Sequence, residues 1–372
     1  MDNTILWIWL NQSVALSRSK QIRLLEHFGT IDEIYNANLS DYADLDFLTD
    51  EELNLLSKKD LEVCYGEVDK LSKIGGGVIT IDSEYYPEIL KNISSPPNVL
   101  YYRGKLTNLN NYLCIAMVGT RKATYYGKEC AYSLAKELSG MGIAIVSGLA
   151  LGIDAKSHEG ALKGSAPTVA VIGCGVDIAY PQSNAELMNN IAAKGMVLSE
   201  YPLGTRPEKY HFPERNRIIS GICQGTLVVE ADYKSGSLIT AKSAIEQNRD
   251  VFAVPGNINS TYSKGTNYLL KDGAHFVTTP EDIVSFYRFD YPELLTKSIS
   301  TYHEPEVQET PSKGSPQEKI LSAIGEETVH TDTICRETGL DIGTINSSLL
   351  LMELSGTVVK LPGGFYTKPK SF

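Results

Sequence analysis

The sequence has little of what marks a metalloprotein, a redox enzyme or a secreted domain. Its six cysteines (Cys64, Cys114, Cys130, Cys174, Cys223 and Cys335) are scattered, with no CxxC pair and no histidine at metal-ligand spacing. That argues against a disulfide framework and a structural zinc site, and it suits a reducing cytosol, so a cytoplasmic location is expected. Neither a GxGxxG dinucleotide fingerprint nor the GxxxxGK[ST] order of a P-loop occurs, so no cofactor is expected. The opening MDNTILWIWLNQ is apolar but too short to span a bilayer. It lacks a basic n-region and a small-residue cleavage site, and it reads as an amphipathic first helix. No internal repeat and no low-complexity tract is present.

A basic balance is lacking too: the net charge is −11 over 372 residues. Its distribution matters more than its sum. Residues 1–111 hold ten Lys/Arg against seventeen Asp/Glu, and residues 285–372 hold eight against twelve. Residues 112–284 hold sixteen of each, so the middle of the chain carries none of the acidity. A neutral domain can still present a basic groove if its cations cluster on one rim.

What is there is a clear periodic pattern. The length predicts two or three domains. Up to residue 75 the pattern is helical: Ile22, Leu24, Leu25 and Phe28 share one helical face before Gly29, and Thr49 with Glu52 forms a capping-box signature. This acidic segment resembles a helix-hairpin-helix or SAM-like module, suited to protein contact or packing and, less well, to DNA. Residues 76–111 read as a strand, turn, short helix and strand. The strands YLCIAMVG, IAIVSG, PTVAVIG, MVLSEY, TLVVEA and DVFAVPG then alternate with amphipathic helices. Short, continuous apolar runs of this kind predict a parallel sheet covered on both faces, an α/β Rossmann-like core over 76–290. Residues 291–316 lose periodicity and read as a linker. Residues 317–372 read as three short helices and two strands around a Pro-Gly-Gly turn, a winged-helix pattern.

Ligands in such sheets sit outside the carboxyl ends of the strands, where four segments stand out. Gly119-Thr120-Arg121-Lys122 joins a buried strand to a helix, and backbone N–H groups there form an anion site to which Arg121 adds a fork of donors. In SGLALGIDAKSH, Ser147, Gly148 and Gly152 would let a ligand approach the backbone, with Asp154 placed to cap the next helix. In FPERNRIISG, Arg215, Asn216 and Arg217 are expected at a helix start, where the macrodipole also attracts an anion. In EADYKSGSLITA, Lys234, Ser235, Gly236 and Ser237 offer a cation, two hydroxyls and a nest of N–H groups. His158 and His211 stand alone and are expected to pack or hydrogen-bond. Among Tyr125, Tyr126, Tyr180, Tyr201, Tyr210 and Phe212, one or two are expected to stack on bases. No catalytic residue is assigned and no metal site is expected.

The blocks MVGTRKATYYG, IAIVSGLALGIDAKSHEGAL, GCGVDIAYP, LSEYPLGTRPEKYHFPERNRIISG, VVEADYKSGSLITAKSAIEQNRDVFAVPG and KGTNYLLKDGA resemble, in order and spacing, the DprA/Smf family. The resemblance implies a sequence-independent single-stranded-DNA binding protein that protects incoming DNA and helps load the RecA recombinase in natural transformation. It implies a homodimer, with no membrane attachment. Arg121 becomes the leading phosphate ligand. Gln182 departs from the Lys of some members, which implies a missing phosphate contact or its replacement by Arg206 or Lys209. For Tyr268, Leu269 and Phe276 the residues alone leave internal packing and an interface open; the resemblance favours a two-fold dimer contact. The competing class is a phosphoribohydrolase-like nucleotide enzyme on the same fold, whose PGGxGTxxE loop is missing here.

Overall fold

A computed structural model describes residues 3–14, 16–299, 315–324, 328–354, 357–361 and 363–368. The chain forms two compact units, residues 1–302 and 303–372. The first opens with helices α1 (Asn3–Ile8), α2 (Arg18–Phe28), α3 (Ile31–Asn36), α4 (Leu39–Ala43), α5 (Asp50–Ser57) and α6 (Glu62–Lys73). Their boundaries follow from local chemistry. Gly29 ends α2 at φ 89°, and the Thr49–Glu52 capping box satisfies the first amides of α5. The first helix is not amphipathic as expected: Ile5, Leu6, Trp7, Ile8, Trp9 and Leu10 are all buried. The reason is that this core is continuous with the sheet residues Val99, Tyr101, Ala170 and Val197, so α1 is covered from several sides. The helical segment therefore has no separate interior.

The sheet is built from β1 (Gly76–Thr80), β2 (Val99–Gly104), β3 (Cys114–Val118), β4 (Ala144–Ser147), β5 (Thr168–Ile172), β6 (Met196–Ser199), β7 (Gly225–Val228), β8 (Asp250–Ala253) and β9 (His275–Phe276). Helices α7 (Tyr125–Gly140), α8 (Ile153–Ala161), α9 (Ala185–Lys194), α10 (His211–Ile222), α11 (Ser237–Glu246) and α12 (Lys264–Lys271) lie between these strands. The six expected core strands and the five helices expected between them all form. Spatial order is β1-β2-β6-β5-β4-β3-β7-β8-β9. Pairing is antiparallel for β1–β2 and β2–β6 and parallel from β6 to β9. Every residue of β3 to β7 is buried, as a sheet covered on both faces requires. The chain winds outward from β3 to β6 and then returns to the other side of β3 for β7. That reversal opens a crevice at the carboxyl ends of β3 and β7, where open α/β sheets bind ligands.

Helices α13 (Pro280–Tyr287) and α14 (Pro292–Ile299) follow the sheet. The latter corrects the expected start of the linker, because Leu295 is buried against the α/β core and draws the chain into a helix. Residues 300–314 of that segment lie outside the described residues. The second unit contains α15 (Pro316–Ile324), β10 (Val329–His330), α16 (Thr331–Thr338), α17 (Ile342–Leu354), β11 (Val359–Leu361) and β12 (Phe365–Thr367). Its strands pair in the order β10-β12-β11 beside the three helices, a winged-helix arrangement. Ile320, Ile334, Ile345, Leu349 and Tyr366 fill its core. Among the described residues no helix is long and apolar enough to cross a membrane.

Candidate nucleic-acid interface

The crevice between β3 and β7 holds a cavity of about 580 Å³. Its lining brings together Gly119, Thr120 and Arg121 after β3, Lys209 ahead of α10, Arg215 and Asn216 on α10, and Ser235, Gly236 and Ser237 at the start of α11. Tyr180 and Phe212 form an aromatic wall with ring centroids 5.4 Å apart, and the Arg121 guanidinium lies 5.6 Å from the Phe212 ring. Tyr125, Tyr126, Tyr201 and Tyr210 do not line it; the last two flank the His211 ring instead.

The Arg121 loop is held from below. The Thr120 amide donates to the Glu230 carbonyl at 2.8 Å. The Glu230 carboxylate, buried at the end of β7, accepts the Thr124 amide at 2.9 Å and the Thr124 hydroxyl at 2.6 Å. Thr124 in turn caps α7 by accepting the Gly127 amide. Sequence reasoning passed over Glu230, although a carboxylate closing an apolar strand is the visible signal. Across the cavity, the Ser235 and Ser237 hydroxyls lie 2.8 Å apart.

Arg215 does not sit at a helix start. The first residue of α10 is His211, so Arg215, Asn216 and Arg217 occupy its second turn, beyond the reach of the terminal amides. Arg215 is 5 % exposed and donates to the carbonyls of Gly148 and Val171. Burial lowers its pKa to about 10, so it remains cationic at neutral pH. Asp154 faces it from α8. It caps nothing at its own backbone position, since the residue before α8 is Gly152, but it accepts the amides of Gly148 and Ala150. Burial raises the Asp154 pKa while the Arg215 charge works against that rise. A Cβ at Gly148 would stand 2.7 Å from Nη2 of Arg215 and 2.8 Å from Oδ2 of Asp154. Glycine at 148 thus makes room for this pair. At Gly152, where φ is +81°, a Cβ would stand 2.4 Å from the Thr120 carbonyl oxygen, so that glycine serves loop packing.

The other expected residues lie apart. Arg217 is spent on Glu200, with both carboxylate oxygens 2.6 Å from Nη2. Ser147 is buried and donates to the Met117 carbonyl. Lys122, Arg206 and Lys234 are exposed but outside the cavity lining. His158 accepts or donates at Thr168 Oγ1, 2.7 Å away, and burial lowers its pKa to about 3, which keeps the ring neutral. Leu269 is 8 % exposed and belongs to the sheet core, so it corrects the expected dimer contact; Tyr268 and Phe276 are about half exposed.

A doubly wound sheet with a cationic rim and an aromatic wall at its switch-point crevice, followed by a winged helix, defines a Rossmann-like α/β protein with a winged-helix domain. The DNA recombination-mediator protein A family model matches residues 77–288, and a DprA winged helix domain model matches residues 304–364. The chain belongs to this DprA/Smf family. Protein Smf of Escherichia coli is 37 % identical over 289 residues, covering 77 % of this chain and 76 % of that protein. The X-ray structure of DprA from Streptococcus pneumoniae superposes with a TM-score of 0.68 at 35 % identity, covering 77 % of this chain and 98 % of that one. The structure of Helicobacter pylori DprA, described for its unique single-stranded DNA binding mode, gives 0.53 at 33 % identity, covering 57 % and 97 %.

Proposed function

We propose that the chain binds single-stranded DNA without sequence preference, protects it on entry during transformation, and helps load the RecA recombinase onto it. The observation that carries this reading is Arg121, an exposed guanidinium at the switch point, beside the Phe212 ring and with no ion-pair partner among the described residues. Phosphates would meet Arg121, Lys209 and the Ser235–Ser237 turn, while bases stack on Phe212 and Tyr180. Lys122, Arg206 and Lys234 extend the basic rim. Such a site is sequence-tolerant because every base offers a π-face. It binds rather than transforms its ligand: the buried carboxylates beside the cavity, Asp154 and Glu230, are committed to backbone amides. The match to the recombination-mediator family supports the recombinase-loading part of this reading.

Five exposed cations imply on the order of five neutralised phosphates, at a salt slope near −0.7 each, and so roughly a hundredfold loss of affinity between 50 and 200 mM salt. Fluorescence anisotropy on oligo-dT checks it, and a flat salt response or a preference for duplex would remove the reading. Release of free base from AMP would favour the enzyme instead.

We also read the chain as a homodimer acting in the cytoplasm. Its six cysteines form no disulfide. Strand β9 ends the sheet and exposes Phe276, so two copies meeting edge to edge would cover it. Light scattering should give twice the mass of one chain, and Phe276→Glu should give a folded protein of single-chain mass. Leu269→Glu, which places a charge in the core, should unfold it instead.

A further inference from the structure

The stretch 200–210, between β6 and α10, carries Lys209 to the cleft and has no regular secondary structure. Part of what fixes it comes from the N-terminal helices. The Leu203 amide donates to Oε1 of Glu67 at 2.7 Å, 136 residues away on α6. Glu200, at the start of the stretch, is held by Arg217 and lies 3.6 Å from Nη2 of Arg18 on α2. Arg18 also donates to the Pro96 carbonyl. The Leu203 side chain packs on the same apolar core as α1 to α6. From the sheet region it is held by the Gly204 amide on Asp177, the Thr205 carbonyl on the Gly175 amide, and the Tyr201 hydroxyl donating to Glu214 at 2.9 Å.

Glu67 is the telling residue. It is 7 % exposed, and burial pushes its carboxyl upward against the pull of the Leu203 amide. An apolar side chain would fill such a place without the desolvation cost of a carboxylate. What only an acceptor can do there is fix a backbone N–H in the stretch that reaches the cleft. We propose that the N-terminal helical segment is a positioning element of the DNA cleft, with Glu67 and Arg18 holding residues 200–210 in the form that presents Lys209 to a phosphate. Glu67 acts through Leu203 and touches no ligand. The inference rests on the single-stranded-DNA reading above.

Oligo-dT anisotropy titrations over a range of salt, on the full chain, test it. Glu67→Ala should lower the salt slope by about 0.7, one phosphate, and weaken binding about fivefold at 0.1 M salt. Lys209→Ala should do the same, and the double variant should be no weaker than Lys209→Ala alone. Glu67→Gln keeps a carbonyl oxygen for the Leu203 amide and should restore the wild-type slope. A purely structural Glu67 would lower the thermal midpoint in Glu67→Ala and leave slope and affinity at wild-type values. That result, alongside weakened Arg121→Glu and Lys209→Ala, overturns the proposal alone. Undiminished binding in Arg121→Glu overturns the cleft reading and this proposal with it. If Glu67→Ala does not fold, Arg18→Gln takes its place, since Glu200 keeps Arg217; an unchanged slope there counts equally against the proposal.

Discussion

Arg121 and Arg215 line one cavity and differ in almost everything else. Arg121 stands in a loop whose backbone is tied down by Glu230 and whose side chain is left exposed. Arg215 stands on a helix, is buried, and spends its guanidinium on two carbonyls of the loops beneath. Two residues further on, Arg217 is closed off by Glu200. A cation binds phosphate only with donors to spare, so three arginines close to one strand-end crevice amount to one free guanidinium, one internal brace and one ion pair.

Four substitutions can break or sharpen that contrast. The largest effect should come from Arg215→Met, which removes the charge facing the buried Asp154 carboxylate and the donor of the Gly148 and Val171 carbonyls, and should cost about 3–5 kcal/mol of folding stability, read by urea melts. A wild-type melt would mean that Arg215 is free to act as Arg121 does. Next, Arg121→Glu should weaken oligo-dT binding by at least about a hundredfold, roughly 2.7 kcal/mol, while the melt shifts by less than about 0.5 kcal/mol. Equal damage to both properties would erase the distinction between the two arginines. Phe212→Ala should cost about 1–3 kcal/mol of binding and leave the salt slope unchanged, because stacking releases no counterions. Arg217→Ala should be the mildest, weakening binding by no more than about fivefold, since Arg217 lies outside the cavity and Glu200, which it helps to hold, keeps Arg18.

The α/β core could be read from the chain because burial on both faces writes itself as continuous apolar runs. All six parallel strands from Tyr112 to Gly256 announced themselves in this way, and so did the Arg121 loop between a buried strand and a helix. What stayed hidden depends on pairing across distance. Nothing local distinguishes Arg215 from Arg217, or marks Leu269 as a core residue beside an exposed Tyr268. The partner carboxylates, Asp154 and Glu200, lie 61 and 17 residues away in sequence. The start of α10 was misplaced by four residues, because the acidic and aromatic run ahead of RNR carries no capping signal: Tyr210 makes no side-chain cap bond. The alternation of helices before residue 75 was legible, but its contact with residues 200–210 was not.

The cysteines give the molecule a chemical asymmetry. Burial drives the Cys114 thiol to about 12 and those of Cys130 and Cys174 to about 11, and it raises Cys223 well above its ordinary value. At neutral pH these sulfurs hold almost no thiolate, the form that attacks maleimides or oxidants. Cys335, on α16, is only half-buried. A thiol dye offered to the native chain should therefore settle on the winged helix and spare the sheet, which makes the two units separately addressable to fluorescence without removing a single natural cysteine.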